Sequence, residues 1–262
     1  MTELAGGDPR YGSDRGGADP AVAAALAAFA AGTCGEHHVL TVLAATRLLV
    51  PVVAVLAGET ASEPVRESGS GHEAGPGDEA RPGERAGPSE KDSEMAIPAI
   101  VGRDGRQALP AFTGLAAMQR WQPAARPVPV PALSVWQSAV GQGQAVIIDI
   151  AGPAPLVVEG ARLRALAGRD PVPRLHEDPD VRAAVAAAAA AQLAGIRVRL
   201  GPPPDDDADL TLELAPADQD ASEPVPASVV NAIVGDLAAS LGGRLRRGIA
   251  VLVQPPAAGR TH

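Results

Sequence analysis

The aromatic residues of this chain are few and clustered, and this limits where a hydrophobic core can form. The 262 residues include only two Trp, one Tyr and two Phe, and three of these lie together: Phe112, Trp121 and Trp136. In an Ala-rich chain these rings are the largest apolar groups available for burial. We therefore expect a core to form around them.

The residues that precede this cluster have the pattern of a β-hairpin. An Asp-Gly pair at residues 104–105 lies between two apolar runs, and this pair accepts the positive φ angles of a type I′ turn. We predict strands over residues 95–101 and 107–112. Pro98 and Pro110 should occupy edge, terminal or bulge positions, because proline donates no ladder hydrogen bond.

Two short helices are predicted after the hairpin. Thr113 is a candidate N-cap for a helix over residues 114–122, which would end before a proline. Trp121 shares a face of this helix with Leu and Met residues, so we predict that it is buried and that Trp121→Ala is strongly destabilising. A proline-rich extended segment then leads to a helix over residues 132–140 that carries Trp136.

Four stretches of the sequence carry a resemblance to a known family. They read R-L-L-V-P-V (residues 47–52), G-R-D-G-R-Q-A-L-P-A-F-T-G (102–114), R-W-x-P-x-A-R-P-V-P-V-P (120–131) and V-I-I-D-I-A-G-P (146–153). Together they resemble the N-terminal domain of the SseB family (enhanced serine sensitivity), in its actinobacterial form. A weaker resemblance, mostly of hydrophobic pattern, extends to an SseB C-terminal-like domain. The resemblance implies a fold and no catalytic residues.

The domain organisation follows from the changes in composition along the chain. We predict an α+β protein with a mixed-sheet N-terminal domain over residues 19–168 and a small α-β-β-α-β C-terminal domain over residues 175–254. Residues 1–18 and 255–262 are predicted to be disordered tails. Residues 57–94 are predicted to be a disordered insertion within the N-terminal domain.

The predicted insertion is rich in Gly, Pro, Ser and Glu, and Val65 is its only large aliphatic residue. A segment of this kind buries too little apolar surface to offset its ordering entropy. The entropy of closing a loop grows only slowly with its length, so such an insertion is tolerated. We therefore predict that deleting residues 60–92 leaves the fold intact.

An apolar run over residues 39–57 has two interpretations. Its length is close to that of a membrane span, but Arg47 lies in its middle and Pro51 interrupts a helix. The abundance of Val, Leu and Thr favours two buried strands, over residues 39–43 and 48–55. We therefore expect this run to form sheet and the chain to have no membrane partner.

The charge distribution argues against nucleic acid as a partner. Residues 57–94 hold ten acidic and four basic side chains, and the remaining residues hold 21 acidic and 18 basic ones. A nearly balanced folded part lacks the basic footprint of a nucleic-acid-binding domain. The single cysteine, Cys34, excludes an intrachain disulfide and indicates the cytoplasm. No signal peptide is expected, because the first ten residues have neither a basic nor an apolar region.

No metal or cofactor site is predicted. Cys34, Glu36, His37 and His38 are close together, but their spacing matches no closed zinc pattern, and we expect a pair of exposed loop histidines. The acidic residues that follow His176 are typical of a helix N-terminus.

Asp149 is the candidate for chemistry, because it ends the most apolar strand, over residues 145–150. Catalysis would need an acid, base or metal partner for this carboxylate, and no motif supplies one. The alternative is a structural role, in which Asp149 accepts N–H bonds from the A-G-P turn that follows it. On this interpretation Asp149→Asn destabilises modestly and abolishes no chemistry.

Three functions remain open. The first is a non-catalytic binding or regulatory module that contacts an unknown protein partner through sheet edges and the region of Phe112 and Trp121. The second is a small-metabolite sensor for an amino acid, as the family's serine phenotype implies. The third is an enzyme that uses Asp149. The sequence leaves the oligomeric state open, a homo-oligomer included.

Overall fold

The computed structural model describes residues 8–56, 93–102, 105–192, 195–203, 208–218 and 223–255. The helices are α1 (Pro20–Ala30), α2 (Glu36–Leu43), α3 (Leu115–Trp121), α4 (Ala132–Gly141), α5 (Gly160–Gly168), α6 (Pro179–Ala191) and α7 (Ala227–Leu241). The strands are β1 (Arg47–Leu56), β2 (Ser93–Ala96), β3 (Ile100–Val101), β4 (Gln107–Ala111), β5 (Arg126–Pro131), β6 (Ala145–Ile148), β7 (Leu156–Val158), β8 (Ile196–Gly201), β9 (Leu210–Pro216) and β10 (Ile249–Val253). These elements confirm the predicted α+β class.

Strand β1 is the centre of the N-terminal domain. It pairs antiparallel with β2 and with β5, in the order β2-β1-β5. A second sheet has the order β3-β4-β6-β7, in which β4 and β6 are parallel. Reciprocal backbone hydrogen bonds of 2.8 and 2.9 Å between Leu49 and Phe112 join the two sheets. The N-terminal domain therefore contains mixed sheet, as the sequence predicts.

The prolines of β4 and β5 lie at positions where the sheet needs no backbone N–H to donate a hydrogen bond. Strand β5 is an edge strand, and prolines occupy alternate positions along it. Strand β4 is internal, but its pairing with β3 extends only over Gln107 and Ala108. Pro110 lies beyond that pairing, so its missing N–H breaks no ladder bond to β3.

Phe112 and Trp136 are fully buried in apolar cores, as expected, but the aromatic side chains divide between two clusters. Trp136 of α4 and Phe29 of α1 are fully buried in the main core, which the N-terminal helices and sheets share. Phe112 belongs to a smaller cluster with Leu49 and Met118. Trp121 packs on Phe112 with ring centroids 5.4 Å apart and is only half-buried. The burial predicted for Trp121 is therefore only partial, and the fully buried tryptophan is Trp136.

The strand predicted over residues 39–43 is wrong, because these residues form helix α2. Its buried residues are Glu36, Val39, Leu40 and Leu43, which recur at helical spacing along one face. The β-branched content of the run favoured a strand, but burial of this face against the core decides the structure. The second predicted strand, over residues 48–55, is confirmed as part of β1.

The first hairpin strand, predicted over residues 95–101, is divided into two. Ser93–Ala96 pairs with β1, whereas Ile100–Val101 pairs with β4, so the two pieces belong to different sheets. Pro98 lies in the break between the two pieces. The buried side chain of Ile97 anchors this break in the main core. The hairpin between β3 and β4 is confirmed. Residues 103–104, at its predicted turn, lie outside the described residues.

The predicted disorder of residues 1–18 is wrong for residues 8–18. Pro9–Tyr11 forms a 3₁₀ turn capped by Asp8, and Asp14 forms an ion pair with Arg47 of β1. The backbone N–H of Leu115 donates to the Gly16 carbonyl over 2.7 Å. The predicted tails over residues 1–7 and 256–262 lie outside the described residues.

The C-terminal domain has the predicted α-β-β-α-β order. Its sheet has the order β10-β9-β8, with β9 and β10 parallel and β8 antiparallel to β9. Asp178 caps α6 by accepting the N–H of Asp180 over 2.8 Å, and Pro179 is the first helical residue. Helices α6 and α7 pack on this sheet through a core that includes Val181, Ile233 and Leu237.

The ends of the predicted insertion lie beside each other. Residues 57–92 are outside the described residues, whereas residues 93 and 94, predicted as part of the insertion, begin β2. Leu56 and Ser93 are register partners in the antiparallel pair of β1 and β2. A short turn could therefore connect these strands.

Replacing residues 57–92 with Asn-Gly should leave the melting temperature nearly unchanged, because a two-residue loop of this type matches the geometry of an antiparallel pair. Thermal unfolding followed by circular dichroism measures the effect. A Gly/Ser linker of the original length serves as the control for loop length. A large loss of stability in both variants would show that the replaced residues contribute to the folded state.

Candidate functional site

Asp149 lies at the C-terminal end of β6, in the interior of the N-terminal domain. Its backbone N–H donates to the Ala111 carbonyl over 3.0 Å and continues the pairing of β6 with β4. The residue is only 7% exposed and has a φ of 48°, in the left-handed region that few side chains other than Asn and Asp adopt. This turn aims the carboxylate at the start of α3.

Thr113 holds both oxygens of the Asp149 carboxylate. Its backbone N–H donates to Oδ1 over 2.9 Å, and its hydroxyl donates to Oδ2 over 2.6 Å. The predicted role of Thr113 as a helix N-cap is wrong: the N-cap is Gly114, which supplies no side-chain hydrogen bond. The sequence predicts that Asp149 accepts N–H bonds from the turn that follows it. The Asp149 carboxylate instead accepts its hydrogen bonds from Thr113, whereas the Gly152 N–H of the turn donates to the Asp149 backbone carbonyl.

The segment of residues 14–18 lies against the start of α3 and is held by Arg47. Arg47 binds Asp14 through two hydrogen bonds, which lower the pKa of that carboxyl group. The same guanidinium donates to the carbonyls of Thr113 and Gly17, each over 2.7 Å. One arginine therefore fixes the N-terminal segment, the central strand and the Asp149 partner relative to one another.

A pocket of about 290 Å³ lies between this segment, α1 and α3. Small apolar side chains such as Ala23, Leu26 and Ala117 form most of its wall, and its polar side chains are Thr113, Asp149 and Arg120. Asp149 is nearly buried, whereas Arg120 is exposed on the last turn of α3. The pocket is therefore apolar with an acidic group inside and a basic group at its border.

Burial raises the pKa of Asp149 above its ordinary value, against the opposing effects of the Thr113 hydrogen bonds and the Arg120 charge. The folded protein therefore binds this proton more readily than the unfolded chain does. The contribution of Asp149 to stability is accordingly lost as the pH rises through the raised pKa. A cationic group placed in the pocket would reverse this effect by favouring the ionised form.

The aromatic candidates lie apart from this pocket. Phe112 is fully buried, so its ring contributes no surface to a partner. Trp121 is half-buried and packs against Phe112 at the end of α3. The structure thus brings Phe112 and Trp121 together, but neither of them lines the pocket that contains Asp149.

A second polar cluster, which the sequence analysis missed, joins the two domains. Glu36 accepts hydrogen bonds from Arg162 of α5 and, over 2.9 Å, from Arg244, which follows α7. Arg244 also donates to Asp178 over 2.6 Å. Glu36, Arg162 and Asp178 are at least 95% buried. We call these four residues the buried charge network.

The environment of the buried charge network differs between its two arginines. Burial lowers the pKa of Arg162, and the adjacent Glu36 carboxylate only partly opposes this effect. Burial alone would also lower the pKa of Arg244, but the carboxylates of Glu36 and Asp178 outweigh it and raise that pKa. Arg244 is therefore the better-compensated guanidinium, because it has two carboxylate partners.

The Cys34–His38 cluster lies at the start of α2 and not in the predicted loop. His38 is exposed, His37 is half-buried, and Glu36 is committed to the buried charge network. Burial raises the pKa of the Cys34 thiol. Among the residues that the structure describes, no group of three His, Cys, Asp or Glu side chains is arranged to hold a metal ion.

A sequence signal for Glu36 exists once α2 is assigned as a helix. Glu36 occupies the same face as Val39, Leu40 and Leu43, so a charged group on an apolar stripe would have indicated a buried partner. Arg162 similarly adjoins the buried Leu163 of α5. The strand assignment for residues 39–43 concealed this pattern.

Over the described ranges, the chain has no helix with the length and apolar character needed to cross a membrane. No curated protein sequence and no solved structure matches the chain. The family profile described as the SseB protein N-terminal domain matches residues 22–165, more than half of the chain. This range includes the whole sheet system around β1, Asp149 with Thr113, and the Glu36–Arg162 ion pair. The chain therefore belongs to the SseB family.

Proposed function

We propose that the protein is a non-catalytic regulatory module that binds a small amphipathic metabolite, an amino acid, in the pocket beside Asp149. The observation that carries this proposal is the pocket itself, which combines apolar walls with an acidic and a basic side chain. Its volume of about 290 Å³ lies at the lower end of the range for small-molecule sites, which suits a ligand of few atoms.

The two charged side chains match the two ends of a free amino acid. Each Asp149 oxygen accepts one hydrogen bond from Thr113, and a carboxylate oxygen can accept a second, so an ammonium group can bind there. In the described part of the chain, no residue forms a hydrogen bond with the Arg120 guanidinium, whose planar fork suits a carboxylate. The apolar wall would receive the ligand's side chain.

Catalysis by Asp149 is less well supported than binding. Thr113 holds both carboxylate oxygens, and the side chains that line the pocket include no histidine among the described residues. A protein-docking role for the Phe112–Trp121 region is also less well supported, because Phe112 is fully buried. The proposal places the module in the cytoplasm, since its single cysteine suits a reducing compartment.

Asp149→Asn should abolish amino-acid binding and change the free energy of unfolding by no more than about 1 kcal/mol, the usual net value of a hydrogen bond. Isothermal titration calorimetry with a panel of amino acids that includes serine measures binding. Urea unfolding measures stability. Asp236→Asn, at an exposed position on α7, is the matched control and should change neither result.

Arg120→Gln supplies an independent test of the ligand's orientation. It should weaken binding of an amino acid but not of the corresponding amine, because only the amino acid carries the carboxylate that Arg120 binds. Binding that is equally strong in the wild type, Asp149→Asn and Arg120→Gln would place the ligand elsewhere. The absence of binding for every amino acid at millimolar concentration would contradict the proposed function.

A further inference from the structure

We propose that strand β8 binds an extended segment of a partner protein in which acidic and apolar residues alternate, and that this segment adds a strand to the C-terminal sheet. Strand β8 lies at an edge, since the sheet has the order β10-β9-β8. Among the described residues, β8 pairs with β9 alone. An exposed edge of this kind can hold an added strand by main-chain hydrogen bonds.

The register of β8 on β9 determines which backbone groups of this edge are available. Gly195 and Ala217 extend the pairing by one residue, and the Ala217 N–H donates to the Gly195 carbonyl over 2.6 Å. Hydrogen-bonded and non-hydrogen-bonded pairs alternate along an antiparallel ladder. The residues that direct their N–H and carbonyl groups away from β9 are therefore Ile196, Val198 and Leu200. In agreement, the carbonyl of Leu214, which is paired with Val198, accepts the Gln254 N–H at the end of β10.

A groove of about 510 Å³ lies between this edge and helix α6. Its apolar wall is formed by small and branched side chains of both elements, namely Val185, Ala186, Ala189, Val198 and Leu200. Because the side chains of a strand alternate between the two faces of a sheet, every second residue of an added strand would point towards α6 and meet this wall. The groove therefore favours apolar side chains at alternate positions of the bound segment.

The charged side chains along this edge are arginines. Arg182 of α6 and Arg199 of β8 line the groove and are exposed, and neither forms an ion pair within the described part of the chain. Glu213 is the register partner of Arg199 on β9, but the two side chains form no ion pair. Arg197 lies on the same face of β8 as Arg199 and donates only to the Pro216 carbonyl, over 3.2 and 3.3 Å. The edge therefore favours acidic residues at the intervening positions of the bound segment.

The same features argue against an occupant from this protein itself. Pairing of two β8 strands would bring Arg197 and Arg199 of one copy beside those of a second copy, and like charges on neighbouring strands are destabilising. Residues 57–92 are acidic, but Val65 is their only large aliphatic residue, so they lack the alternating apolar side chains that the groove accepts. A segment of another protein therefore fits the edge better.

A synthetic peptide of four Glu alternating with three Val, acetylated and amidated at its ends, should bind saturably to the full chain in isothermal titration calorimetry. The same peptide with Lys in place of Glu should not bind. Combining Arg182→Gln with Arg199→Gln should weaken the affinity for the Glu peptide about three- to tenfold, as expected for the loss of two exposed charge pairs. Combining Arg126→Gln with Arg169→Gln, at exposed positions outside the groove, removes the same charge and should leave the affinity unchanged.

Amide hydrogen exchange tests the main-chain bonds in the unsubstituted protein. The Glu peptide should slow exchange of the Val198 and Leu200 N–H groups, because an added strand would accept hydrogen bonds from them. Val198→Pro removes one of these donors without breaking the pairing with β9, so it should abolish peptide binding and leave the fold intact.

Four results would overturn the proposal. The first is no saturable binding of the Glu peptide at millimolar concentration, and the second is unchanged exchange at Val198 and Leu200 in its presence. The third is equal weakening of binding by the two pairs of arginine substitutions, which would indicate non-specific attraction. The fourth is slow exchange of these two amides without peptide, which would assign the edge to a second copy if dilution reverses it, or to residues 57–92 if their replacement by Asn-Gly does.

Discussion

Glu36→Gln should lower the free energy of unfolding by about 3–5 kcal/mol, as expected when one partner is removed from a buried ion pair. Glu36 is 5% exposed and accepts hydrogen bonds from Arg162 and Arg244, so its loss leaves two guanidinium groups without this carboxylate. Gln preserves the volume, which limits the effect to charge and hydrogen bonding. Urea unfolding of the full chain measures it.

The relative loss of stability in two variants distinguishes the buried charge network from a simple ion pair. Arg162→Met should cost less than Glu36→Gln, because Glu36 then keeps Arg244 as a partner and the buried methionine needs no counter-charge. Glu159→Gln is the matched control: it removes one partner of the ion pair between Glu159 and Arg106, whose side chains are 37% and 69% exposed. This control should change stability very little.

Two results would contradict this account. Equal, small losses for Glu36→Gln and Glu159→Gln would show that burial does not amplify the Glu36 interactions. A larger loss for Arg162→Met than for Glu36→Gln would show that the packing of the arginine side chain outweighs its charge.

Trp136→Ala should destabilise the fold by about 3–5 kcal/mol, because it removes the largest fully buried side chain of the main core. Trp136→Phe should retain most of the stability. Within the described residues, nothing accepts a hydrogen bond from Trp136 Nε1, so Phe removes volume but breaks no hydrogen bond. Chemical denaturation followed by far-UV circular dichroism measures both variants without relying on tryptophan fluorescence.

Trp121→Ala is the comparison for Trp136→Ala. Trp121 is half-buried against Phe112, so its truncation should cost less than that of Trp136. A loss at Trp121 that matches or exceeds the loss at Trp136 would show that the small cluster around Phe112 supports the fold as much as the main core does.

Features that depend on neighbours in the sequence were predictable. Asp19 and Asp178 each cap a helix whose first residue is proline, as their sequences indicate. The α-β-β-α-β order of the C-terminal domain follows from alternating and helical apolar spacing. In each case the residues that decide the structure lie within a few positions of one another.

Features that depend on distant contacts were not predictable in the same way. Thr113 could cap α3 or bind Asp149, and the choice is made by a residue 36 positions away. Residues 39–43 become a helix because that conformation buries one face against the core, although their composition favours a strand. Glu36 meets Arg162 and Arg244 across 126 and 208 positions. Pair contacts at such separations leave no local pattern.

The four members of the buried charge network are divided equally between the domains. Glu36 and Arg162 come from the N-terminal domain and pair with each other, whereas Asp178 and Arg244 come from the C-terminal domain and pair with each other. Each half of the chain therefore contains its own counter-ion. During synthesis, the N-terminal half can complete its ion pair before Arg244 leaves the ribosome, so Glu36 and Arg162 neutralise each other while the C-terminal domain is still incomplete.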